Sequence, residues 1–186
     1  MQGKSFTNQS EKIIQSSLEL AREHSHSQVT SYHVGVALFD DENSISYKIL
    51  DNTGADAKQF QRNLRKGMVR LPSQSPPPNE VGASNSFYNL LNKAESIRKE
   101  DNDTHIAVTH LLLSLIQEDT IKTIFNQTGI SYGKVRETIK KLHGSHKVDN
   151  KFAEDQFDAL SKYGRDLVKD AEESKLDPVI GRDQEI

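Results

Sequence analysis

The chain has 186 residues, with 24 Lys and Arg against 27 Asp and Glu, a formal net charge of −3, and no cysteine. A near-neutral balance excludes a polyanion-binding surface as its main role. The missing thiols exclude disulfide frameworks, zinc ribbons and cysteine nucleophiles, and make the cytosol the simpler expectation.

Residues 1–7 carry neither an apolar stretch of signal-peptide type nor an Arg-rich amphipathic segment, so no targeting segment is expected. Ile13, Ile14, Ser17, Leu18 and Ala21 then recur at intervals of three and four, which predicts one apolar stripe on a helix capped by Thr7 or Ser10. Val34, Ala37 and Leu38 predict a second helix capped near Thr30 or Ser31. A short third helix is expected over about 46–52, with Thr53-Gly54 as a left-handed ending. Asp56 then caps a fourth helix in which Phe60, Leu64 and Met68 share a face. In the following stretch, 71–79, four of the five prolines fall within seven residues; they fix φ and remove donors, which predicts a semi-rigid connector.

Beyond the connector the pattern returns. His33–Leu38 superposes on His110–Leu115 at an offset of 77, which also carries Ile13-Ile14 onto Leu90-Leu91, Leu20 onto Ile97 and Val29 onto Ile106. Ile49–Gly54 falls on Ile124–Gly129 at an offset of 75. Four more helices are therefore expected, over about 84–101, 107–117, 120–127 and 131–143, with Gly129 at a helix end and Ser131 as a cap. No strand is expected. The fold class is all-α: eight short helices in two pseudo-repeats of four, plus a C-terminal linker helix. The domain reading is a double repeat over 1–143, made of repeat one at 5–70, the connector at 71–83 and repeat two at 84–143. A flexible linker follows at 144–152, then a helix over about 153–175 with Phe157, Leu160, Leu167 and Val168 as its sparse apolar face. The longest nearly apolar run, Leu111–Ile116, falls far short of the about 20 residues a membrane span needs.

The final residues, Leu176-Asp-Pro-Val-Ile-Gly-Arg-Asp-Gln-Glu-Ile186, resemble the entry to the first ATPase module of the Clp/100-kDa heat-shock AAA+ family, and Leu160–Leu167 resembles its lead-in helix. Phe6-Thr7, the His33 and His110 helices and Val69-Arg70-Leu71-Pro72 resemble that family's duplicated N-terminal domain, with ClpB-type disaggregases the nearest group and a connector similar to the fungal cytosolic form. The resemblance covers the whole chain. It implies an N-terminal piece of a longer protein, ending at the start of the first AAA+ module. The implied function is substrate docking, in which unfolded or aggregated polypeptide is captured in an apolar groove for threading by the downstream ring. The alternative is an adaptor or co-chaperone docking module of a Clp-type unfoldase.

The site residues that the resemblance implies are Leu90, Leu91 and Ile97 as groove, with Thr7 and Asp103 as polar rim. Helices five and six crowd Phe87, Leu90, Leu91, Ala94, Ile97, Ile106, Val108, Leu111, Leu112 and Leu115 into a short stretch, so some are expected to remain exposed. Lys93 stands where bacterial relatives usually place an apolar groove residue, which predicts weaker or altered binding. ClpC-type N-domains use a Glu before each helix-two histidine for phosphorylated arginine; Tyr32 and Thr109 occupy those places, so that chemistry is not expected.

No catalytic residue and no metal site are expected. His24, His26 and His33 are a candidate ligand cluster without a supporting carboxylate or cysteine. Gly129-Ile-Ser-Tyr-Gly133-Lys134-Val135 is one residue short of a phosphate loop and lacks its hydroxyl. The resemblance implies that Val179 and Ile180 touch nucleotide only in a full-length parent, where ATP and magnesium are the cofactors; this stretch has none. Expected partners are unfolded or aggregated polypeptides and co-chaperones, without nucleic acid or membrane. The piece is expected as a monomer, the parent as a homohexamer, and the compartment as the cytoplasm, with the nucleus a second one.

Overall fold

A computed structural model describes residues 3–143 and 148–154. The described elements are α1 (Asn8–Glu23), β1 (Gln28–Val29), α2 (Ser31–Leu38), α3 (Ile45–Asn52), α4 (Ala57–Val69), β2 (Gly82–Ala83), α5 (Asn85–Glu100), α6 (Val108–Gln117), α7 (Asp119–Asn126) and α8 (Tyr132–His143). The helices stand where periodicity placed them because all but α6 begin at a residue whose side chain accepts from the first free N–H groups. Thr7, Thr30, Ser44, Asp56 and Ser84 do so for α1 to α5, and Ser131 accepts from Lys134 N–H for α8. Gly54 and Gly129 end α3 and α7 at φ of 93° and 75°. These two matching turns require the left-handed region, where a side chain would be strained.

The two central helices form the middle of the core. In α2 every residue except Tyr32 is buried, and in α6 Val108 and His110 to Ile116 are buried. Helix α2 packs against α1, α4 and α6, while α6 packs against α5, α7 and α8. Gly35 permits the α2–α4 approach, since a Cβ there would lie 2.9 Å from a Leu64 methyl. Phe39, Phe60 and Phe125 make two successive edge-to-face contacts, at centroid distances of 5.2 and 6.1 Å, and so carry the core from one repeat into the other.

The expectation of no strand needs correction. Strands β1 and β2 pair in parallel, Gln28 with Gly82 and Val29 with Ala83, and an isolated parallel bridge joins Phe6 to Ile106. At the repeat offset these are one feature made twice: the residue pair before each repeat's first helix binds the loop before the other repeat's second helix. Two-residue strands carry no alternation for a sequence pattern to reveal. The turn after each first helix also repeats, with Ser25 at φ 57° and Asn102 at φ 60°.

Residues 148–152, expected within a flexible linker, lie along the domain. Thr104 N–H donates to the Val148 carbonyl at 2.9 Å and Asn8 N–H to the Lys151 carbonyl at 2.6 Å. The small apolar cluster of Ala107, Val148 and Ala153 closes over the contact. The helix expected to follow lies, from residue 155 onward, outside the described residues, as do Val179 and Ile180.

Candidate functional site

Helices α5 and α6 decide which of the implied groove residues can touch a ligand. Leu90, Leu91 and Ile97 are 0, 1 and 3% exposed. The expectation that part of the α5–α6 apolar set stays exposed is not met: Phe87, Ala94, Ile106, Val108, Leu111, Leu112 and Leu115 are buried too. The reason is architectural. Helix α6 is enclosed by α5, α7, α8 and α2, so its apolar residues find partners on nearly every side.

The polar rim residues do come together. They meet where the N-termini of α1 and α6 converge, brought side by side by the Phe6–Ile106 bridge and by Thr7 N–H donating to the Ile106 carbonyl at 3.0 Å. Thr7 caps α1, accepting from Ser10 N–H at 3.1 Å, and its hydroxyl donates to the Glu154 carboxylate. The other oxygen of Glu154 accepts from Val108 N–H, the first free donor of α6. Thr7 is fully buried and Glu154 is 2% exposed.

A second group stands beside them. Ala107 N–H donates to His110 Nδ1 at 2.8 Å. That bond places the ring proton on Nε2, which donates to Asp103 Oδ2 at 2.9 Å and lies 3.5 Å from Asp101 Oδ2. Asp103 Oδ1 accepts from Val148 N–H at 3.1 Å. Arg136 binds Asp101 at 2.9 Å, a hydrogen bond that raises the guanidinium pKa. Arg98 binds the Asp103 carbonyl at 2.7 Å and holds Glu95 below the usual carboxylate range. Asp101, Asp103 and His110 are metal-ligand types with donor atoms within 4.8 Å of one another. Their bonds to Arg136, to Val148 N–H and to each other account for this closeness as a hydrogen-bonded network.

His33 is the repeat-one counterpart of His110. Thr30 N–H donates to its Nδ1 at 2.9 Å, so Nε2 carries the proton toward His26 Nδ1 at 2.8 Å. Burial first, then the neighbouring His26 and His24, push His33 down to about 4. Burial, then His24, lowers His26, opposed by a bond to the Leu71 backbone. The candidate ligand cluster of His24, His26 and His33 is thus a helix cap and a tie to the connector.

Sequence reasoning missed Glu154 and the Val108 N–H. The signal for the second was present: at the repeat offset Ala107 replaces Thr30, which removes the capping hydroxyl from α6. Glu154 follows an aperiodic stretch and carries no local signal. In the Gly129–Val135 string, the phosphate-loop resemblance resolves into the ending of α7 and the capped start of α8.

Among the described residues, eight helices in two repeats, each repeat's first helix entered beside the other's second, define a duplicated all-α domain. The Clp repeat (R) N-terminal domain matches residues 5–128, and the chain belongs to that family. Heat shock protein 104 of Schizosaccharomyces pombe is 34% identical over 97% of this chain and 20% of its own length. The corresponding figures for heat shock protein hsp98 of Neurospora crassa are 34%, 97% and 22%. Chaperone protein ClpB 1 of Parasynechococcus marenigrum is 35% identical over 97% of this chain and 21% of its own length. The chain therefore spans about a fifth of these relatives. The crystal structure of the Hsp104 N-terminal domain from Candida albicans superposes with a TM-score of 0.73 at 29% identity, covering 81% of this chain and 99% of that one. No helix among the described residues is long and apolar enough to cross a membrane.

Proposed function

We propose that this domain is a non-catalytic docking module that receives unfolded or aggregated polypeptide at the converging N-termini of α1 and α6, for a downstream AAA+ ring. The observation that carries the reading is the segment of chain already lying there, irregular at 148–149 and turning into a short helical start at 153–154. Residues 148–154 are bound through backbone groups of Thr104 and Asn8, the Asp103 carboxylate, the Thr7 hydroxyl and Val108 N–H. A surface that holds one segment largely by main-chain bonds suits others. A structure titled as a complex of the ClpV N-domain with a VipB peptide shares the fold at 16% identity and a TM-score of 0.58, and supports a peptide ligand in general terms.

Leu90, Leu91 and Ile97 serve this site indirectly, by holding α5 against α6. ATP, magnesium, the hexamer and the threading step belong to the longer protein, and the cytosol is the compartment proposed for it. A permanently unfolded probe, reduced and carboxamidomethylated α-lactalbumin, is expected to bind at roughly tens of micromolar or weaker, because ordering a flexible ligand offsets most of the contact energy. Thr7→Val and Asp103→Asn should each weaken that binding in a fluorescence anisotropy titration. Unchanged binding in both variants would overturn the assignment.

A further inference from the structure

We propose that the α1/α6 cleft selects turn-forming segments carrying a glutamate, and that the chain's own Val148–Glu154 fills it as an internal ligand which incoming polypeptide must displace. The inference rests on the docking reading above and specifies its ligand class and regulation.

Three sets of observations converge on it. The main-chain bonds to the segment ask for no particular side chain: Thr104 N–H and hydroxyl to the Val148 carbonyl, Val148 N–H to Asp103, and Asn8 N–H to the Lys151 carbonyl, with the turn between them closed by Ala153 N–H on the Asn150 carbonyl. The side-chain requirement is different. Val148 and Ala153 supply only small apolar contacts to Ala107, and Phe152 is half exposed. Glu154 alone sends a side chain into buried polar partners, one oxygen to Thr7 and the other to Val108 N–H. The cleft therefore reads chain direction, a small aliphatic residue at the first position and, after a turn at 150–152, a carboxylate six residues later. Such a carboxylate also meets the positive end of the α6 dipole, beyond its two hydrogen bonds.

The other repeat shows what a closed cleft looks like. There Ser31 N–H, counterpart of Val108 N–H, is satisfied by Ser86 Oγ at 3.1 Å, and Thr30 Oγ1 accepts from Tyr32 N–H at 3.1 Å. Both acceptors are built into the repeats. Around the start of α6 the matching places hold Gln9, from repeat one, for Ser86 and Ala107 for Thr30, and the acceptor for Val108 arrives from outside both repeats. Repeat two is thus fitted to receive a carboxylate that repeat one has no place for.

Finally, the occupant is weakly fastened. Seven residues with two small buried apolar side chains hold on by a handful of hydrogen bonds, and their advantage is the high effective concentration of a tethered ligand. A free ligand of the same chemistry competes against that tether and gains when it is loosened.

The test uses the whole chain and a synthetic peptide reproducing residues 148–154, with calorimetry and the Val108 amide resonance as readouts. The peptide should bind the Glu154→Gln chain roughly tenfold tighter than the unaltered one, and move the Val108 resonance, as expected when a tethered competitor is removed. The same peptide with its final Glu replaced by Gln should bind the variant roughly tenfold more weakly, the loss of a charge-assisted pair. A second variant, Val148→Asp, sets a charge beside Asp103 and frees the segment without touching Thr7 or Val108; it should show the same gain and stands in if Glu154→Gln does not fold. Equal affinity for unaltered and opened chains, or indifference to the final Glu, overturns the inference. If unfolded α-lactalbumin still binds in a Thr7-dependent way, the docking function survives that failure; if it does not bind either, both readings fall.

Discussion

At the start of α2 the protein satisfies its helix end from within the repeats, and at the start of α6 it relies on residues far along the chain. Thr30 and Ser86 serve α2, while Glu154 serves α6, where Ala107 offers no side chain. The position seven residues before the central histidine is His26 in repeat one and Asp103 in repeat two, and each receives that histidine's Nε2–H. Each also binds the chain as it leaves its repeat, His26 at Leu71 and Asp103 at Val148. Duplication has thus kept the packing and the path of the chain while the polar ends diverged. Core positions are constrained on several sides at once, whereas a free N–H accepts any oxygen that can reach it.

The largest expected effect tests the shared part of the comparison. Ile14 and Leu91 are repeat-matched and 3 and 1% exposed. Placing a carboxylate at either site buries an unpaired charge and should cost about 4 kcal/mol or more. Ile14→Glu and Leu91→Glu should therefore both lose cooperative thermal unfolding followed by circular dichroism. If Leu91→Glu kept its helicity and melting temperature, Leu91 would be surface, as the family's groove implies.

Next comes a pH dependence centred on His33. An unfolded histidine titrates near 6.5, whereas folded His33 is held down to about 4 by burial and then by His26 and His24. Between these values the unfolded chain takes up a proton that the folded chain refuses. Stability is therefore full above about 6.5, falls as pH drops toward 4, and the loss amounts to about 3 kcal/mol when complete. Urea midpoints at pH 7 and pH 4.5 should show the drop, and His33→Asn should flatten it. An unchanged slope in that variant would place the effect elsewhere.

Much of this was legible in the sequence because helix periodicity, caps and glycine endings are local signals. Thr7, Asp56, Gly54 and Gly129 take the roles expected of them, and the repeat offset fixed the order of all eight helices. Exposure was not legible. Leu90, Leu91 and Ile97 looked too many to bury because a sequence shows one face of α5, and not the helices that surround α6. Thr7 and Asp103 both hold the same segment, but through separate partners, Glu154 for Thr7 and Val148 for Asp103, each more than forty residues away in sequence, beyond any local pattern.

A smaller effect separates the two acceptors. Asp103→Ala leaves two donors, His110 Nε2–H and Val148 N–H, without this acceptor, whereas His26→Ala leaves one donor, His33 Nε2–H, together with the backbone of half-buried Leu71, which water can reach. Losses of about 2 and about 1 kcal/mol are expected, at roughly one buried hydrogen bond each. Faster hydrogen exchange at the Val148 amide should accompany Asp103→Ala. Protection there that does not change would mean the segment is held without Asp103.

The smallest effect would make repeat two resemble repeat one. In α2 the cap hydroxyl of Thr30 serves Tyr32 N–H while Ser86 serves Ser31 N–H, so the two acceptors divide the donors between them. In α6 Glu154 takes the Val108 donor, and Ala107 has nothing to offer the donors after it. Ala107→Ser supplies the missing oxygen, and should stabilise the chain by about 0.5–1 kcal/mol in urea unfolding. Because the new hydroxyl and Glu154 would act on different N–H groups, Glu154→Gln should cost the same in either background to within about 0.5 kcal/mol. Strong coupling in that double-mutant cycle would mean that one donor is shared. A net loss from Ala107→Ser would mean that Val148 and Ala153 pack too closely on Ala107 to admit an oxygen, and that repeat two gave up its cap to make room for the segment.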